Sequence, residues 1–110
     1  MIHINIYYLN KITIILKGVD IVSMSILPRL RWACRRGMLE LDVLLGNFLE
    51  EAYTHLSASD QQYFITLLDC NDQELFMWLT GKESPADPKI AYIVEKIRHH
   101  ARTRKHATSL

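Results

Sequence analysis

Cysteine is scarce in this chain of 110 residues, limited to Cys34 and Cys70. The two are far apart, form no CxxC pair and have no histidine at zinc-ligand spacing, which excludes a disulfide scaffold and a structural zinc site. What remains is a pair of reduced, semi-buried thiols in a cytoplasmic protein. Charge of one sign is missing as well: the formal net charge is +1, too little for a global field that gathers nucleic acid or an anionic membrane surface. Catalytic signatures are absent. There is no glycine-rich phosphate loop, no HExxH and no GxSxG, and no Cys–His pairing suited to nucleophilic catalysis. Adjacent carboxylates such as Glu50-Glu51 read as a solvated helix face. No catalytic residue, metal ligand or tightly held cofactor is therefore assigned.

An uninterrupted apolar run of about 20 residues, the length that spans a bilayer, is also lacking. The first stretch, MIHINIYYLNKITIILKGVDIVS, comes nearest, but Lys11, Lys17 and Asp20 break it. No small-residue cleavage site follows, so a secretory signal is disfavoured, and no membrane insertion is expected. The stretch contains no Ala, Glu, Gln or Arg, the residues that fill the rest of the chain. Alternation of Ile2, Ile4 and Ile6 would suit a strand. Its bias toward Ile, Asn, Lys and Tyr, residues with AT-rich codons, points instead to an upstream extension. On that expectation residues 1–23 carry no function and the domain comprises residues 24–110, starting at Met24. A native mass matching a start at Met1 would contradict it.

The remainder, with an ordinary 49% apolar and 23% charged content for the chain as a whole, reads as an all-α, compact single-domain bundle of about five short helices. Pro28 suits the first turn of a helix running to about Arg35, and Gly37 ends it. In MLELDVLLGNFLEEAYTHL, residues Leu41, Leu44, Leu45, Phe48, Leu49, Ala52, Tyr53 and Leu56 share one face. Gly46 inside that helix suggests a close neighbouring helix. Ser57 with Asp60 resembles a capping box opening a helix that buries Phe64, Leu67 and Leu68. Asn71 and Asp72 offer capping oxygens for a helix carrying Leu75, Phe76, Trp78 and Leu79, stopped by Gly81. Asp87-Pro88 opens the last helix, with Ile90, Ile93, Val94, Ile97 and Ala101 buried. Phe76 and Trp78 are read as core.

Two polar constellations remain. The run RHHARTRKHATSL is the most basic segment and reads as a solvated helix end that complements the helix dipole. His99 and His100 point about 100 degrees apart on a helix, so with His106 they make a poor metal site. RLRWACRRGMLELD is less easily set aside, because it gathers Arg29, Arg31, Arg35, Arg36, Gly37, Glu40 and Asp42 at one helix–glycine–helix junction. A glycine there invites close backbone approach, and Arg36 and Glu40 share a face if the helix has already begun. Arginine forks beside a carboxylate suit recognition of a polar partner.

That junction, Arg31-Trp32-Ala33-Cys34-Arg35-Arg36-Gly37-Met38 continuing through Glu40-Leu41-Asp42, resembles the signature of the SdhE family, also known as YgfY and once described as the antitoxin CptB. The family's RGxxE motif stands here as Arg36, Gly37 and Glu40. LLDCNDQELFMWLTG and Pro85-Ala86-Asp87 are similar to its later segments, so the likeness runs from about Ser25 to Arg104. The resemblance implies a five-helix fold and a non-enzymatic FAD assembly factor. Such a factor binds the flavoprotein subunit of succinate dehydrogenase or fumarate reductase and promotes covalent attachment of FAD to a histidine there. FAD then belongs to the partner. Carried onto this chain, Arg36, Gly37 and Glu40 would contact the flavoprotein, with Arg29, Arg35 and Asp42 as a rim. The alternatives are an antitoxin-like protein that binds a toxin or cytoskeletal target, and a small helical nucleic-acid-binding protein.

Overall fold

The computed structural model describes residues 19–104, with side chains from Ile26 onward. The strand-like alternation at Ile2, Ile4 and Ile6 and the His106 tail lie outside the described residues. Within them are five α-helices and one 3-10 turn, and no strand: α1 (Val19–Ala33), α2 (Leu39–Glu51), the turn Tyr53–His55, α3 (Ala58–Leu67), α4 (Asp72–Leu79) and α5 (Pro88–Thr103). The all-α class expected from the periodicities is the one observed. The chain divides after Ala33 into two units.

In the first unit, α1 runs through Pro28 instead of starting there. An interior proline loses one hydrogen bond and crowds the carbonyl four residues back, yet the helix continues through Pro28, so a proline that resembles a start signal can sit inside a longer helix. The helix also stops at Ala33, short of Arg35. Leu30 is fully buried, whereas Arg29, Arg31 and Trp32 are exposed, Trp32 to 70%.

In the second unit, side-chain caps set three helix starts. Ser57 Oγ accepts from the Asp60 N–H at 3.1 Å, Asn71 Oδ1 from the Glu74 N–H at 2.8 Å, and Asp87 Oδ1 from the Lys89 N–H at 2.9 Å. Each satisfies a donor that the first helical turn leaves unpaired. The α2 periodicity extends to Leu56, but the helix itself ends at Glu51 and the chain tightens into the 3-10 turn. The Tyr53 carbonyl accepts from the Leu56 N–H at 3.1 Å and from Gln61 Nε2 at 2.9 Å, and Tyr53 stays buried.

Helix α5 packs against α2, α3 and α4, and α2 packs against α4. The core is made by Leu41, Leu45, Phe48 and Leu49 of α2, with Phe64, Leu67 and Leu68 from α3 and its end. Leu75 and Leu79 of α4 and Ile90, Ile93, Val94 and Ile97 of α5 complete it. Phe76 and Trp78 are only half-buried. Leu75 and Leu79, one turn apart, take the inward face of this short helix, and the aromatics flank it. Among the described residues no helix approaches Gly46 closely either: a Cβ built there meets nothing within 4 Å. Since glycine costs about 1 kcal/mol relative to alanine inside a helix, Gly46→Ala should stabilise the protein by about that amount in urea unfolding. A destabilised Gly46→Ala would contradict the open space.

Candidate functional site

The loop between α1 and α2 is held from two directions at Arg36. Its backbone N–H donates to Asp42 Oδ1 at 2.6 Å, and Asp42 is tied one turn into α2 by its own N–H bond to the Met38 carbonyl at 2.9 Å. A carboxylate at a helix N-terminus also faces the positive end of the helix dipole. The Arg36 side chain turns the other way. Nε donates to Asp72 Oδ1 at 2.7 Å, Nη1 to the Leu68 carbonyl at 3.0 Å and Nη2 to the Cys70 carbonyl at 2.8 Å. The guanidinium thus closes the C-terminal end of α3, where carbonyls lack helical partners, and meets the first residue of α4. Only 15% of the Arg36 side chain is exposed.

Between these anchors Gly37 adopts φ +87°, in the region that L side chains rarely enter. Among the described residues, a Cβ built on it would meet no atom within 4 Å. The glycine therefore serves a left-handed turn whose outer side is open. Glu40 follows in the first turn of α2, exposed, with no hydrogen bond or ion pair among the described residues. Around it stand exposed apolar side chains, Leu39 at 79% and Val43 at 48%, with Met38 at the edge.

The expected pairing of Arg36 with Glu40 is not formed. Helix α2 begins only at Leu39, so Arg36 precedes it and reaches Asp72 instead. Among the six site residues expected from sequence, Arg35, Arg36, Gly37, Glu40 and Asp42 come together on this loop and the start of α2. Arg35 is exposed and Asp42 half-buried. Arg29 is an exposed residue of α1, in the other unit. Asp72 was legible only as a possible cap. Nothing in the local spacing marks it as the counter-ion of an arginine so distant in sequence.

Cys34, at the head of the loop, is buried to 1% exposure, deeper than the semi-buried thiol expected. Burial pushes its thiol up to about 12, with the Arg36 charge offsetting only part of the effect. Cys70 is half-buried and raised by burial too. At pH 8 an alkylating reagent should therefore modify Cys70 first and reach Cys34 only on unfolding. Equal rates on the native protein would contradict this burial.

The basic end of α5 is largely matched by acids. Arg104 forks onto Glu51, with Nε donating at 3.1 Å, while His100 Nε2 lies 2.9 Å from the same carboxylate. The hydrogen bond from Arg104, with the Arg104 charge and the His100 ring beside it, holds the Glu51 carboxyl down to about 2. Arg102 and Arg98 pair with Glu95 at 3.0 and 3.5 Å.

Residues 28–101 match the sequence profile of the family described as flavinator of succinate dehydrogenase. A protein named FAD assembly factor SdhE from Shewanella oneidensis is 51% identical over 75 residues, which cover 68% of this chain and 92% of that protein. Its namesake from Aliivibrio fischeri is 44% identical over 72 residues, covering 66% and 84%. The one from a Serratia species is 43% identical over 77 residues, covering 70% and 88%. These names are those of an assembly factor, not of an enzyme. The matched span contains the whole Arg36 loop, its Asp42 and Asp72 anchors and helices α2 to α4. The chain belongs to the flavinator of succinate dehydrogenase family.

Proposed function

We propose that this chain is an FAD assembly factor that binds the flavoprotein subunit of succinate dehydrogenase, or of the related fumarate reductase, and promotes its covalent flavinylation. The observation that carries this reading is the Gly37 turn, open on its outer side and pinned through both the backbone and the side chain of Arg36. A loop already held in place loses little conformational freedom on docking. Its open glycine admits a partner surface close to the backbone, and Glu40 and Arg35 offer exposed charges beside it. Arg36 and Asp42 serve the docking face by fixing the turn.

FAD is assigned to the partner. A helix N-terminus is the usual cradle for a dinucleotide diphosphate, but at α2 the Asp42 and Glu40 carboxylates occupy the first turn and repel an anion. The covalent bond then forms within the flavoprotein, and this chain acts on it by favouring the geometry and electrostatics of attachment. The nucleic-acid alternative draws less support, because Glu51 and Glu95 already match Arg104, Arg102 and Arg98. A toxin or cytoskeletal target could use the same open turn.

Complex formation tests the reading. Mixed with a purified apo flavoprotein subunit of succinate dehydrogenase, the protein should co-elute with it in size-exclusion chromatography. A subunit shown competent to take up FAD that never co-elutes would contradict the proposal.

A further inference from the structure

The Arg36 side chain is received by the segment that joins α3 to α4. Leu68 and Cys70 supply backbone carbonyls, and Asp72 supplies a carboxylate that meets Nε at 2.7 Å. A carboxylate–guanidinium hydrogen bond is charge-assisted, shorter and roughly twice as strong as a neutral one. Without the Asp72 charge, the guanidinium would keep the carbonyls but lose the partner that fixes its orientation. The loop would then keep the Arg36 N–H bond to Asp42 and the two carbonyl bonds, but without the charged partner at Nε. The next residue is Gly37, which has the widest conformational freedom of any residue.

We infer that Asp72 is a positioning residue for flavinylation: by clamping Arg36 it keeps the Gly37 turn and Glu40 in the geometry that the flavoprotein docks against. The inference rests on the proposed function and deepens it. It divides the labour of the site, with Gly37 and Glu40 facing the partner while Asp72 acts through Arg36. A docking turn populated for only a fraction of the time weakens apparent affinity by that fraction. The chemistry in a saturated complex is unchanged. The effect of losing Asp72 therefore belongs in the concentration dependence of stimulation and not in its ceiling.

The test uses Asp72→Asn, which keeps the shape and a weaker acceptor, and Arg36→Gln, alone and combined. Far-UV circular dichroism and thermal melting establish first that each is folded at the assay temperature. Should Arg36→Gln fail that check, Arg36→Lys replaces it. For Asp72→Asn, the concentration giving half-maximal stimulation of covalent flavin attachment should rise about tenfold, the scale of one lost charge-assisted hydrogen bond, with the maximal rate retained. In the Arg36→Gln background the same substitution should add little.

A readout independent of any partner accompanies it: amide hydrogen exchange at Arg36 and Gly37 in the free protein should quicken in Asp72→Asn. Unchanged exchange overturns the clamp even if the flavinylation reading itself fails. If the wild-type protein stimulates and Asp72→Asn matches it, the positioning role is wrong while the function stands. Equal losses in both backgrounds would make Asp72 a direct contact, and a lowered maximal rate at unchanged half-saturation would also refute positioning.

Discussion

Gly37→Arg should abolish stimulation of flavinylation while leaving the helices in place. At φ +87° any L side chain is strained, at a cost of about 1–2 kcal/mol. A Cβ there meets no atom within 4 Å, however, so the arginine need not displace anything inside the protein. Helices α2 to α5 are held by a core that does not involve Gly37, and the far-UV circular dichroism spectrum should be retained. The new side chain instead rises from the outer side of the turn, where the flavoprotein surface is proposed to approach. Gly37→Asn separates the two effects, because asparagine tolerates the left-handed region and is short. It should keep most of the stimulation. A folded Gly37→Arg protein that stimulates as well as wild type would remove Gly37 from the docking face.

The largest effect on stability is expected at Phe64. Its side chain is 0% exposed, with the ring of Phe48 at 5.4 Å and that of Tyr53 at 5.7 Å between centroids. Phe64→Ala removes contacts to α2 and to the 3-10 turn together, and leaves a cavity between elements that cannot close independently. Such truncations cost about 3–5 kcal/mol, against a total of about 5–15 kcal/mol for most domains. Urea unfolding should show the midpoint falling steeply. A loss below about 1 kcal/mol, the scale of a surface change, would mean that the ring is not packed as described.

These two sites differ in how far the sequence exposes them. Phe64 lies on a stripe whose period is local, and Ser57, Asn71 and Asp87 announce their helices because a cap acts within three residues of itself. The α2 and α5 stripes are legible for the same reason. Gly37 is legible as a turn, and its place in the RGxxE pattern marks the junction. The partner of Arg36 is not legible. Asp72 and the Leu68 and Cys70 carbonyls reach it only once α3 and α4 are folded, and the nearer acid, Glu40, satisfies the helical spacing rule without satisfying the geometry. Pro28 misleads because a proline at a helix start and one within a helix differ only in what precedes them. Gly46 misleads because a glycine in a helix signals either close packing or nothing at all, and here its surroundings are open. Cys34 is buried, but Arg31, Arg35 and Arg36 around it hide it from a periodicity reading.

The central claim is that this chain accelerates covalent FAD attachment to a flavoprotein through the open Gly37 turn. Its most direct measurement is the time course of covalent flavin fluorescence on a denaturing gel. An apo succinate dehydrogenase flavoprotein subunit is incubated with FAD, with and without this protein. The account predicts a markedly faster rise with the wild-type chain and the unassisted rate with Gly37→Arg. The same rate with and without the wild-type protein, for a subunit that does flavinylate, would contradict it.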